Sequence, residues 1–359
     1  MEITEDILYF WLGFSGLSAR RFHKLSERYT PWELWSGVGN TITDKTLFGE
    51  KTYDALVRFR NVDFLSHETE KLRDGGMLVV SFNRYPLPLR QKEVVAPPFL
   101  YCRGNVSLLH TPTVAVVGTR QCSAYGKEAA YRLATELCEH NVTVASGLAL
   151  GIDSYAHRAA LRANGKTVAV LGSGLQCVTP PFNQGLHDEI VASGGLIVSE
   201  YAPRCDATRY TFPARNRIIS GLSMGTVVVE AGKGSGALIT ADYAAEQGRT
   251  VFAVPGSILS KTAVGSNRLL YDGAVPALCA TDICDTLGIS YTKIEKKPRV
   301  VALDIFEQKI YNLLQSGVTN FDALVESAQI TPAKLSALLS GMEIKRVIEK
   351  KAPNVYAPV

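Results

Sequence analysis

The chain has 359 residues, 46% hydrophobic and 20% charged, an ordinary composition for a globular protein with room for two or three domains. A net charge of +4 excludes a uniformly basic, histone-like protein and leaves room for a local basic patch. Seven cysteines without a CxxC pair and six histidines without HExxH spacing argue against a disulfide framework, a zinc site and metal catalysis.

The N-terminal stretch MEITEDILYFWLGF carries acids where a signal peptide has Lys or Arg, and its apolar run stops at Gly13. That run is too short to span a bilayer, so the expectation is a cytoplasmic protein without a membrane segment. Residues 1–80 read as an N-terminal domain of short helices with aromatic residues packed among them. Within it, LGFSGLSARRFHKLSERY predicts a small helical bundle with solvated charges. The alternative is a helix–hairpin–helix that meets phosphates through Arg20, Arg21 and Lys24. Tyr85 to Gly104 reads as a proline-rich connection.

From Val114 the pattern changes. TVAVVG, VTVASG, KTVAVLG, GLIVSE, TVVVEAG and TVFAVPG are short, nearly continuous apolar runs separated by amphipathic helical segments. Runs without alternation predict strands buried on both faces, as in a parallel sheet covered by helices. Residues 81–292 are therefore expected to form a doubly wound, Rossmann-like α/β domain. KIEKKPRV, residues 293–300, reads as a charged linker. Three helical segments and a final VIEKKAPNVYAPV predict a winged-helix-like domain over residues 300–359, with Thr331-Pro332 marking one helix start. Its third helix carries Lys334 early and Lys345 and Arg346 late, so a DNA-reading and a protein-binding role both stay open.

Standard nucleotide motifs fail. Gly165-Lys166-Thr167 lacks the leading glycine of a P-loop, because Ala160 stands there, and GTRQCSAYG is not GxGxxG. What remains is a set of anion-compatible loops at the ends of strands, where ligands of such sheets bind. Gly118, Thr119 and Arg120 follow the first strand, Gly147 the second. Lys233, Ser235 and Gly236 lie in AGKGSG, a Gly/Ser loop ahead of a helix and a phosphate cradle. Arg215, Asn216 and Arg217 occupy FPARNRIISGLSM, where Phe-Pro reads as a helix start. Cations in a first turn cost about 0.3–1 kcal/mol without a compensating anion, which points to a phosphate or to carboxylates of the chain itself. The two arginines stand about 200° apart on an ideal helix, so one faces the ligand and the other braces the loop. Tyr125, Tyr210 and Phe212 lie near the same rim as possible stacking rings. Asp153 and His157 are read as local structure, and Glu200 and Glu230 as ion-pair partners of arginine.

These segments, from VAVVGTR and VASGLALGIDSYAH through FPARNRIISGLS to VVVEA, SGALITADYAAEQGRTVFAVPG and GSNRLLYDGA, resemble the DNA-processing protein A (DprA/Smf) family over about residues 85–280. The resemblance implies a non-catalytic cytoplasmic protein that needs no cofactor or metal. It implies binding to single-stranded DNA taken up in natural transformation, transfer of that strand to a RecA-type recombinase, and a homodimer formed through the α/β domain. It places phosphate contacts at Arg120, Arg215, Arg217, Lys233, Ser235 and Gly236, with Gly147 and Asn183 on further motif positions. QCVTPPFNQGLH departs from the family pattern by lacking a lysine near Asn183. The fold type also resembles phosphoribohydrolases of the lysine-decarboxylase-like family. Their PGGxGT loop and following acids are missing here, where Leu238-Ile239 occupies the acidic position.

Overall fold

A computed structural model describes residues 3–291, 303–345 and 347–358. The linker 293–300 and Arg346 lie outside the described residues. The chain forms two compact units, Met1–Lys293 and Ile294–Val359.

Five helices open the first unit: α1 (Glu5–Phe14), α2 (Ala19–Ser26), α3 (Pro31–Gly37), α4 (Glu50–Arg58) and α5 (Val62–Asp74). Thr30 and Glu33 close a reciprocal capping box at α3, satisfying N–H groups that a helix start leaves unpaired. Tyr9, Phe10, Trp11, Phe22 and Phe48 are buried here, and the Trp11 indole donates to Leu56 O at 2.9 Å. Arg21 is used internally, donating to Phe48 O at 2.6 Å.

The chain then runs through β1 (Leu78–Ser81), the single turn α6 (Leu87–Arg90) and β2 (Phe99–Gly104). β2 is a structured part of what reads in sequence as a proline-rich connection. Next come β3 (Thr113–Val117), α7 (Ala124–Glu139), β4 (Thr143–Ser146), α8 (Ile152–Arg162), β5 (Thr167–Leu171), α9 (Gln184–Ala192) and β6 (Leu196–Ser199). After these come α10 (Thr211–Leu222), β7 (Gly225–Val228), α11 (Gly236–Glu246), β8 (Thr250–Ala253), α12 (Val264–Tyr271), β9 (Val275–Pro276) and α13 (Ala280–Leu287). The six apolar runs are β3 to β8, and β3 to β7 are fully buried.

The nine strands lie in the order β1-β2-β6-β5-β4-β3-β7-β8-β9. β6 through β9 pair in parallel. β2 adds antiparallel to β6, with Tyr101 opposite Ser199, and β1 adds antiparallel to β2. The front helices share a core with this end of the sheet: Phe10 packs on Phe99 at 5.1 Å between ring centroids, and Phe99 on Tyr101 at 4.8 Å. Strand order reverses between β3 and β7. That is the topological switch point, where the loops leaving two neighbouring strands diverge and open a crevice.

The second unit contains α14 (Ile305–Gln315), α15 (Phe321–Ala328), α16 (Pro332–Ile344) and a hairpin of β10 (Ile348–Ala352) with β11 (Val355–Pro358). Its core is Ile310, Leu314, Leu324, Leu335, Leu339, Met342, Ile348 and Tyr356. This is the expected winged-helix arrangement.

Candidate single-stranded nucleic-acid trough

A trough of about 800 Å³ occupies the switch point. The loop after β3 supplies Gly118, Thr119 and Arg120; the loop after β7 supplies Lys233, Ser235 and Gly236; the start of α10 supplies Phe212 and Asn216. The two loops are tied together, since Thr119 N donates to Glu230 O at 2.8 Å. Glu230 is 2% exposed and is held by hydroxyl and amide donors: Ser123 N at 2.8 Å, Ser123 Oγ at 2.6 Å and Thr262 Oγ1 at 2.8 Å. Reading Glu230 as an arginine partner is thus corrected: three donors from distant loops satisfy the carboxylate and fix the rim.

Ser235 caps α11. Gly234 has φ +76°, and an added Cβ at Gly234 or Gly236 meets nothing within 4 Å. Packing therefore makes no demand for glycine at 236. Its bare backbone faces open space at a helix start, where unpaired N–H groups and partial positive charge favour an anion. Arg120 and Lys233 are exposed, and among the described residues neither pairs with a carboxylate. The Arg120 guanidinium sits 5.2 Å from the Phe212 ring centroid. Arg209, which sequence reasoning missed, adds a third exposed cation and lies 4.7 Å from the Tyr210 ring. Its signal is present in ATRYTFPARNR, as an arginine two residues ahead of the helix. Tyr210 is exposed, and the Tyr125 hydroxyl donates to Pro255 O at 2.8 Å.

The two arginines of RNR part company, as their angular separation requires. α10 starts at Thr211, before Phe-Pro, because Thr208 Oγ1 accepts from Thr211 N at 3.2 Å. Arg215 therefore sits in the second turn, and the first-turn argument does not apply to it. Its side chain is 4% exposed and donates to Gly147 O at 2.6 Å, to Val170 O, and to Asn216 Oδ1 at 3.0 Å. Burial pushes its pKa down to about 10, with Asp153 opposing the shift. Burial pushes the Asp153 carboxyl up, against Arg215 and the N–H groups of Ala149, Gly147 and Gly118. This pair forms the trough floor. Arg217 points elsewhere, and its Nη2 donates to both carboxylate oxygens of Glu200 at 2.8 Å. As that distance requires, Glu200 is the arginine partner expected from sequence.

Two further sequence-predicted positions do not line the trough. Gly147 lies beneath it, where a Cβ would come within 2.5 Å of the Arg215 guanidinium. Asn183 is 0% exposed and spends its amide on Leu148 O at 2.9 Å and Ser154 Oγ at 3.0 Å. Both positions brace loops. In the winged-helix unit, Lys345 is held by Glu307 at 2.6 and 2.8 Å, and Lys334 lies 3.5 Å from the Phe306 ring centroid. No group of His, Cys, Asp and Glu among the described residues is arranged to hold a metal.

Residues 76–288 match the family model for DNA recombination-mediator protein A, and residues 295–352 that for the DprA winged helix domain. The chain belongs to the DprA/Smf family. It is 45% identical over 188 residues to DNA processing protein DprA of Streptococcus pneumoniae, covering 52% of this chain and 66% of that one. It is 38% identical over 226 residues to DNA processing protein DprA of Bacillus subtilis, covering 62% and 76%. The X-ray structure of the Streptococcus pneumoniae protein superposes with a TM-score of 0.65 at 36% identity, over 79% of this chain and 98% of that one. DNA processing protein A from Helicobacter pylori, whose structure is described for its single-stranded DNA binding mode, superposes with a TM-score of 0.54 at 31% identity, over 60% and 97%. The matching family model is named for DNA recombination mediation.

Proposed function

We propose that this protein binds single-stranded DNA in the switch-point trough without regard to sequence and passes it to a RecA-type recombinase during natural transformation. One observation carries the binding reading. Arg120 and Lys233 are exposed and unpaired among the described residues, and they flank an open glycine backbone at the start of α11. Two cations and a helix N-terminus hold phosphates, and phosphate contacts carry no base information. The contact set is Arg120, Lys233, Ser235 and Gly236, with Gly118, Thr119 and Asn216 on the rim and Arg209 added. Phe212 and Tyr210 are the rings placed to stack bases, each worth about 1–3 kcal/mol where it does so.

Transfer to the recombinase, the homodimer through the α/β domain and a cytoplasmic setting rest on family membership. Seven free cysteines fit a reducing compartment, and no helix among the described residues is long and apolar enough to cross a membrane.

The test is fluorescence anisotropy with labelled oligo-dT and its duplex, titrated over salt. Preference for the single strand, and a fall in log K with log salt of about 0.7 per phosphate contact, is the expected result. Failure of both DNA forms to bind at low salt overturns the reading. Release of base from a nucleoside monophosphate, abolished by Glu230→Gln, is the result that would favour hydrolysis instead.

A further inference from the structure

Beyond Arg120 the trough opens into a second groove, of about 660 Å³, that shares Arg120 and Gln121 with it. α7 lines one side with Lys127 and Tyr131, and α8 the other with Tyr155, Arg158 and Arg162. Phe182, in the loop ahead of α9, reaches its edge with 79% of its surface exposed.

The helical spacing explains the pattern. Lys127 and Tyr131 are four apart on α7, Arg158 and Arg162 four apart on α8, so each pair projects from one face. Lys127 Nζ sits 5.1 Å from the Tyr155 ring centroid, and the Arg162 guanidinium 5.7 Å from that of Tyr131. Each ring thus lies beside a cation. The groove holds four cations, counting Arg120, against one carboxylate, Glu128. All four are exposed, and among the described residues none of them forms an ion pair.

This composition is not what an idle surface needs. Solvated helix faces mix both signs of charge, which keeps local fields small. Here one sign dominates, and a phenylalanine stands exposed at the border. Cations that track a backbone beside rings that receive bases are the make-up of a single-strand channel. Continuity with the trough through Arg120 identifies the occupant as more of the same strand.

We propose that single-stranded DNA leaving the phosphate trough at Arg120 continues along the groove between α7 and α8. Arg158, Arg162 and Lys127 take its phosphates, and Phe182 stacks a base. The proposal rests on the strand-binding reading of the trough and extends its footprint.

The experiment is anisotropy with a labelled dT ladder from about 4 to about 20 nucleotides, for wild type, Arg158→Glu/Arg162→Glu, and Phe182→Ala. Wild-type affinity should climb with length beyond the shortest oligonucleotides. The double variant should bind the shortest within twofold of wild type, which also shows that it is folded. On the longest it should lose about tenfold or more, with a salt slope shallower by about 0.7 per lost contact. Phe182→Ala should weaken long oligonucleotides several-fold with the salt slope unchanged. A double variant that matches wild type at every length overturns the groove and leaves the trough standing. An acidic protein segment as occupant gives that same result. A wild type that binds no oligonucleotide overturns both.

Discussion

Arg217 Nη2 donates to both carboxylate oxygens of Glu200 at 2.8 Å, and the two side chains are 11% and 20% exposed. The pair fixes the middle of α10 to the end of β6 and leaves Arg217 unavailable to a ligand in the trough. Arg217→Ala should therefore destabilise the protein by about 2 kcal/mol, the scale of a hydrogen-bonded charged group left without its partner. Strand affinity of the folded variant should stay within about twofold of wild type, well under the tenfold that 1.4 kcal/mol represents. Urea unfolding and anisotropy read the two quantities separately. A variant of normal stability and poor affinity would return Arg217 to the binding site.

Arg120 and Lys233 should behave in the opposite way. Both are exposed and make no ion pair among the described residues. Replacing either with alanine should leave thermal unfolding unchanged and weaken single-strand binding by about tenfold, with the salt slope shallower by about 0.7. Measuring the slope as well as the affinity separates a lost phosphate contact from a general loosening of the trough.

Gly236 offers a sharper probe, because an added Cβ there meets nothing within 4 Å. Gly236→Ala should fold normally, and be more stable by about 0.4–1 kcal/mol if its backbone angles suit alanine. It should nevertheless bind the strand more weakly, since the methyl group occupies the approach to the N–H groups of α11. Unchanged affinity would mean that the strand does not reach this loop.

His157 sets a pH dependence unrelated to DNA. Its Nδ1 lies 2.7 Å from Thr167 Oγ1, whose own hydrogen is given to Val144 O at 2.7 Å. The imidazole must therefore donate from Nδ1, which leaves Nε2 buried and without a partner among the described residues. Burial, helped by the nearby Arg215 charge, pushes its pKa down to about 3 from 6.5. The unfolded chain thus takes up a proton that the folded chain refuses. This contribution to stability is whole above pH 6.5 and declines as pH falls toward 3, by about 1.4 kcal/mol per unit. Chemical unfolding of wild type and His157→Gln at pH 7 and pH 5 should show a flatter dependence in the variant. Parallel pH profiles would assign the acid sensitivity to other groups.

Much of this architecture is legible in the sequence. β3 to β8 announce themselves because strands buried on both faces need no polar alternation. The divergence of Arg215 and Arg217 follows from helix geometry alone. What was not readable depends on residues far apart in the chain. β2 hides because prolines precede it and its partner β6 comes almost a hundred residues later. Glu230 reads as an arginine partner because Ser123 and Thr262, its donors, lie far from EAG in the chain. The α10 start lies ahead of the Phe-Pro signal because a turn at Thr208, whose hydroxyl accepts from Thr211 N, leads into the helix. Gly147 and Asn183 carry motif positions, yet only the packing reveals that Gly147 lies beneath the trough and that Asn183 ties Leu148 to Ser154.

The antiparallel addition of β2 to β6 has a consequence for any shortened form of the protein. Leu196–Ser199 is a fully buried apolar strand whose outer hydrogen-bonding groups are met by Tyr101–Gly104. A chain begun after Gly104 would turn that strand into a bare edge, a template for pairing with other chains. A soluble α/β fragment must therefore keep β1 and β2, and with them the front helices whose core includes Phe99 and Tyr101. Cutting later should yield aggregates, even though every residue of the trough would still be present.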